Sequence, residues 1–124
     1  MNQVFIVGNL TRDPELSFTP SGVGKCKFDV AVNRSYKKGE EWVKEVTYIP
    51  VNCWAKTAEN CNEFLRRGSK VAVSGRLSIR SYEDDQGVKK KFTNIEAQNI
   101  EFLTPKNADT YEQNSQNNDE NLPF

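Results

Sequence analysis

The chain has no histidine and one methionine among 124 residues. Without imidazole, the commonest general base and the commonest metal ligand are both missing. Its three cysteines, Cys26, Cys53 and Cys61, are odd in number and lack C-x-x-C spacing. A zinc site would have to combine three thiolates with a carboxylate, which this spacing does not suggest. Periodicity places all three on apolar faces, so they are expected to be reduced core thiols. Long apolar runs are also absent. No stretch approaches ~20 apolar residues, and a mean hydropathy of −0.73 excludes a membrane-helix protein. Met1-Asn2-Gln3-Val4 has neither the basic start nor the apolar run of a signal peptide, so a cytoplasmic chain is expected. There is no Gly-rich phosphate loop of the Walker type and no nucleophile–base pair, and the acids are scattered through loops and solvent faces. An enzyme is not expected, nor a cofactor.

Net charge is zero, which by itself argues against a polyanion binder, but the distribution is uneven. Residues 1–104 hold 16 of the 17 Lys and Arg and 13 of the 17 acids, whereas residues 105–124 hold Lys106 against Asp109, Glu112, Asp119 and Glu120. A basic body with an acidic end fits a polyanion-binding domain that carries a separate protein-interaction signal. The division expected is one domain over residues 1–104 and a tail over residues 105–124.

Five extended segments and one short helix can be read. Val4-Phe5-Ile6-Val7 is a continuous apolar run, as in a strand buried on both faces. Cys26, Phe28, Val30 and Val32 alternate with polar residues, and Ser35 to Lys44 reads as a hairpin loop before a third strand, Val46 to Trp54. A helix follows, with Thr57 as its N-cap, Glu59 in its first turn, Ala58, Cys61 and Leu65 on one face, and Gly68 as its stop. Val71 to Tyr82 and Val88 to Leu103 are the last strands. In the fifth, Ile95 and Ala97 are out of phase with Ile100 and Phe102, which places a β-bulge near Gln98. An all-β order with its one helix between the third and fourth strands is that of the OB-fold, a five-stranded Greek-key barrel.

Sorting strands by face isolates the candidate chemistry. In the third, Ile49, Val51 and Cys53 turn inward and send Tyr48, Pro50, Asn52 and Trp54 outward. In the fourth, Val71, Val73, Leu77 and Ile79 turn inward around Gly75, leaving Ser74, Arg76, Ser78, Arg80 and Tyr82 outside. Aromatics interleaved with Arg make a stacking surface for bases, each of which has a π-face, with guanidinium groups to pair with phosphate. Tyr48 and Trp54 would stand about 20 Å apart, room for several extended nucleotides. Tyr36 and Trp42 lie in or beside the basic hairpin loop and are further candidates; Lys89-Lys90-Lys91 reads equally well as a solvated turn.

Residues Asn107 to Asn118 are rich in Asn and Gln and show no apolar periodicity, so a disordered tether is expected. Beyond it run Asp119, Glu120, Asn121, Leu122, Pro123 and Phe124. A ring and carboxylates at the tip of a tether suit a partner pocket with basic residues around it.

The chain resembles the bacterial single-stranded DNA-binding proteins of the replicative type over essentially its whole length. The likeness rests on Asn2-Gln3-Val4-Phe5-Ile6-Val7-Gly8-Asn9-Leu10, Arg12-Asp13-Pro14-Glu15, Pro20-Ser21-Gly22 and Ala31-Val32-Asn33-Arg34. It continues through Trp54-Ala55-Lys56-Thr57-Ala58-Glu59, Phe64-Leu65-Arg66-Arg67-Gly68-Ser69, Val73-Ser74-Gly75-Arg76-Leu77 and the acidic Leu-Pro-Phe end. The resemblance implies a nucleoid-associated homotetramer of OB-folds that wraps single-stranded DNA without sequence preference. It implies that Trp54 is a principal base-stacking residue, with Tyr48 and Tyr82 where the family often has Trp and Tyr36 at an aromatic position of the hairpin. Arg34, Lys56, Arg76 and Arg80 align with basic or polar positions near the DNA path. The tip from Asp119 to Phe124 corresponds to the docking signal for replication, repair and recombination enzymes. The chain departs from the pattern in its two Trp-to-Tyr positions, in Pro50, and in a short tail with two acids at its tip. The alternative reading is an RNA-binding OB module.

Overall fold

The computed structural model describes residues 1–104. The expected tether and the docking tip, Asp119 to Phe124, lie outside the described residues. In chain order the elements are β1 (Val4–Leu10), β2 (Glu15–Phe18), β3 (Gly24–Lys38), β4 (Glu41–Trp54), α1 (Ala55–Phe64), β5 (Lys70–Glu83) and β6 (Lys89–Phe102). Neighbours run β1-β5-β6-β4-β3-β2, and β1 also pairs with β3, so five strands close a barrel and short β2 lies on its edge. The helix falls between the third and fourth barrel strands, β4 and β5, which is the OB-fold arrangement. β4 and β6 run parallel at Val51–Ile95 and Asn52–Glu96, and the other ladders are antiparallel.

The core is built from inward-alternating positions. Phe28, Val30, Val51, Val71, Val73 and Ile95 are buried, and α1 supplies Ala58 and Cys61, with Leu65 just beyond it. All three cysteines are free and buried. The Cys53 thiol donates to the Cys26 carbonyl (3.6 Å) and lies 3.7 Å from Cys61 Sγ. The Cys26 thiol favours ionisation of Cys53, but the hydrogen bond with Cys61 and burial outweigh it and push Cys53 up to about 12. Cys26 is also pushed up, by its hydrogen bond with Cys53 and by burial.

The bulge falls where the phase break puts it. Ser74 pairs with Asn99 but Gly75 pairs with Ala97, leaving Gln98 as the extra residue in β6. Pro50 sits on the stretch of β4 that has only β3 beside it, so its missing N–H breaks no ladder to β6.

Several expectations are corrected. The Ser35–Lys44 loop is strand almost throughout: β3 and β4 stay in register to Lys38–Glu41 around a turn at Gly39, whose φ of 65° suits glycine. The helix starts at Ala55, directly after β4, with Trp54 in the cap position and no side-chain cap. Thr57 is therefore inside the helix and Glu59 is beyond its first turn. The helix ends at Phe64 because Leu65 turns extended (φ −97°) and its side chain enters the core. Gly68 serves the turn beyond, donating its N–H to the Leu10 carbonyl.

Leu77 and Ile79 do not face a core; they are 39% and 56% exposed. The β1 ladder stops at Val4–Gly75, so past Gly75 no strand lies on the outer edge of β5, where Leu77 meets only the Asn2 side chain. β1 is not buried on both faces within one chain either. Leu10 is in the core and Val4 and Ile6 pack against it, while Phe5 and Val7 stand bare, 73% and 50% exposed. No helix among the described residues is long and apolar enough to cross a membrane.

Candidate nucleic-acid interface

Residues directly opposite each other in a ladder point to the same side of the sheet. Register therefore assembles one outer face across four strands. Tyr48, Asn52 and Trp54 of β4 stand opposite Ala31, Lys27 and Lys25 of β3. Asn52 pairs with Glu96 of β6, and Glu96 with Arg76 of β5. Further along the hairpin Arg80 pairs with Phe92 and Tyr82 with Lys90. The structure thus brings together Trp54, Tyr48, Tyr82, Arg76 and Arg80. Their rings are open to solvent: Tyr48 is 66% exposed, Tyr82 50% and Trp54 40%.

Trp54 is the most constrained of these aromatics. Its indole N–H donates to Glu96 Oε2 at 2.9 Å, and the Lys25 ammonium lies 5.2 Å from its ring centroid. The next residue, Ala55, has φ 55°, a left-handed conformation unusual for a side chain with Cβ. That corner turns the chain from β4 into α1 within one residue, with Trp54 on the rim. Lys56, exposed, follows in the first helical turn.

Glu96 is the centre of a small network. Its Oε1 accepts from Asn94 Nδ2 (3.2 Å) and Asn52 Nδ2 (3.4 Å), both on buried residues. Burial opposes ionisation of this carboxyl. The hydrogen bonds from Trp54, Asn94 and Asn52 and the charge of Arg76 overcome it and hold Glu96 below the ordinary carboxylate range.

Two candidates lie elsewhere. Arg34 and Tyr36 alternate onto the reverse side of the β3–β4 hairpin, opposite Glu45 and Val43. Arg34 pairs with Glu45 (3.7 Å), and its guanidinium carbon lies 4.7 Å from the Tyr36 ring centroid. Only a strand that wraps the hairpin could meet them and Trp54 together.

Sequence reasoning missed Phe92, Lys25, Lys27 and Glu96. Phe92 is 42% exposed and borders both a groove with Arg80 and Tyr82 and a cavity of about 330 Å³ with Arg12, Lys27, Pro50 and Asn52. A signal for it existed, because Phe92 shares the outward phase of Asn94 and Glu96 ahead of the bulge. Trp42, 71% exposed, lies near the β3–β4 tip in the phase of Tyr48. Around the cavity Arg12 meets Asp29 and Glu15, and Lys27 meets Glu15, each at 3.8 Å with exposed partners. Such exposed pairs contribute little to stability. No cluster of His, Cys, Asp and Glu among the described residues could hold a metal ion.

A model of the Single-strand binding protein family matches residues 1–103. The chain is 43% identical over 109 residues to single-stranded DNA-binding protein 2 of Listeria monocytogenes, covering 86% of this chain and 66% of that protein. It is 42% identical over 110 residues to single-stranded DNA-binding protein A of Bacillus subtilis, covering 87% of this chain and 62% of that one. With single-stranded DNA-binding protein 1 of Staphylococcus aureus it shares 42% identity over 113 residues, covering 91% and 72% respectively. The chain thus spans slightly less than two thirds of the length of the first two relatives.

Proposed function

The chain belongs to the single-strand binding protein family, and from that membership we propose that it binds single-stranded DNA without sequence preference. The observation that carries the reading is the set of bare aromatics, Trp54, Tyr48 and Tyr82, on one face with Arg76 and Arg80. Bases stack on the rings whatever their identity, and the guanidinium groups pair with phosphate. Lys56 extends the basic path beyond Trp54. Arg34 and Tyr36 engage strand that wraps past the hairpin edge. The protein holds single strands in the cytoplasm, at the nucleoid, during replication, repair and recombination. It performs no catalysis.

Two further parts complete the proposal. The chain assembles as a homotetramer, in which a neighbouring copy covers the outer side of β1, where Phe5 and Val7 are bare. The tip from Asp119 to Phe124 recruits replication, repair and recombination enzymes, with the Phe124 ring as anchor and the acids meeting basic residues of a pocket.

Titration with oligo-dT, followed by Trp fluorescence and mass, tests the core of the proposal. Tight binding that weakens with salt is expected, because Lys and Arg displace condensed counterions. Preference for RNA of equal length would overturn it. In the same titrations a chain lacking Asn121 to Phe124 keeps its DNA affinity but no longer captures partner enzymes. Collapse of DNA binding with capture intact would make the tip part of the DNA site.

A further inference from the structure

A carboxylate is out of place on a face that binds phosphates, since it repels the ligand. Glu96 nevertheless sits at the middle of this one, and the neighbouring side chains are arranged to keep it ionised. Asn52 and Asn94, 6% and 0% exposed, both direct amide N–H groups at Oε1. Asn94 Oδ1 is left buried with no partner. Turning that amide over would set its oxygen against the carboxylate, so the carboxylate determines which way Asn94 points.

The other oxygen of Glu96 holds the edge of the Trp54 ring at 2.9 Å, while Lys25 lies over the ring at 5.2 Å. The indole is thereby fixed in direction, and with the ammonium on one side the opposite side is left for a base. Across the ladder Arg76 is the direct partner of Glu96, and its charge favours the carboxylate. The two form no direct ion pair, so the guanidinium stays free to meet a phosphate, but the nearby negative charge weakens that attraction.

We propose that Glu96 is a positioning residue of the DNA face: it fixes the Trp54 ring for one-sided stacking and offsets part of the charge that Arg76 presents to the phosphate backbone. The proposal rests on the reading of Trp54 as a base platform. It makes Trp54, Glu96 and Arg76 one unit, in which an oriented stack is gained and one phosphate contact is weakened.

The test uses the full chain carrying Trp42→Phe, so that Trp54 is the sole tryptophan. Glu96→Val and Glu96→Gln are compared by Trp54 anisotropy without DNA and by oligo-dT titration over a range of salt. Val removes the acceptor. Anisotropy should fall, and affinity should drop about tenfold at salt high enough to screen the phosphate contribution. Gln keeps one acceptor oxygen for the Trp54 indole and no charge, and its NH2 can donate to Asn94 Oδ1 once that amide turns over. Anisotropy should be retained, while the slope of log affinity against log salt steepens, by at most about 0.7, the share of one full phosphate contact on a single strand. A merely structural role would not separate the two readouts in this way.

Unchanged anisotropy and affinity in Glu96→Val would overturn the proposal. So would an unchanged salt slope in Glu96→Gln, whose conservative shape keeps it informative if the Val variant folds poorly. Trp54→Ala in the chain that keeps Trp42, titrated with fluorescently labelled oligo-dT, separates the two readings. If it binds like the parent, the base platform itself is wrong; if it weakens binding while both Glu96 variants behave as the parent, only the role of Glu96 fails.

Discussion

A Cβ atom added to Gly75 would overlap the backbone carbonyl oxygen of Glu96 across the β5–β6 ladder. The register shift between Ser74 and Gly75 lies at this point, with Gln98 bulged from β6. Ladder and bulge together press one backbone onto the other, and only glycine leaves room.

Gly75→Ala is therefore expected to destabilise the fold by about 1–3 kcal/mol, the usual cost of overpacking. Gly8→Ala should behave alike, because its Cβ would meet the Ala31 carbonyl. Urea unfolding monitored by circular dichroism measures both. Midpoints equal to the parent's would show that the strands can part at no cost.

Trp54→Ala should cost about 1–3 kcal/mol of single-strand affinity with folding unchanged, the range of one base–aromatic stack. Tyr48→Ala and Tyr82→Ala should act in the same direction, since both rings share its face. Tyr36→Ala discriminates the path of the strand. An equal loss there means that DNA wraps the β3–β4 hairpin, and no loss confines it to the face of Trp54.

The stability of the fold should be acid-sensitive through Glu96. Its carboxyl titrates below the ordinary value of 4.5 when folded, so it contributes stability above that pH and loses it as pH falls through the lower, folded value. Glu96→Gln removes the contribution and should flatten the fall in urea midpoint below pH 4.5 relative to the parent. Asp84 also titrates low, through the Val88 and Gln86 backbone N–H groups and Lys90, and it is unchanged in that comparison. Parallel curves for the two proteins would show that the hydrogen bonds to Glu96 do not favour its charge.

Replacing Phe5 and Val7 together by Asp should split the proposed homotetramer. Both side chains lie outside the core of their own chain, so charge there is tolerated by the barrel but not by a covering neighbour. Sedimentation should show a lighter species with its circular dichroism unchanged. An assembly of unchanged mass would move the interface elsewhere.

Local pattern sufficed wherever one side chain's environment is set by its own strand or helix. Alternation identified Val51 and Cys53 as core and Tyr48 and Trp54 as outward, because pleating sends successive residues to opposite faces. The change of phase between Ala97 and Ile100 marked the bulge at Gln98 for the same reason. Periodicity and cysteine spacing pointed to three free, buried thiols, and the order of elements pointed to the barrel.

Tertiary structure decided what depends on where neighbouring strands stop. Leu77 and Ile79 have core periodicity yet lie open, because the β1 ladder ends at Gly75 and leaves no strand on the outer edge of β5. Tyr36 reads as part of a loop, but register carries it, with Arg34, to the back of the β3–β4 hairpin. The pairing of Trp54 with Glu96, 42 residues apart, follows from a parallel ladder that closes only when the barrel does. Alternation along a strand is a property of the backbone and is written in the sequence. Which strands lie side by side, and for how far, is a property of closure, and it determined which side chains meet on the candidate DNA face.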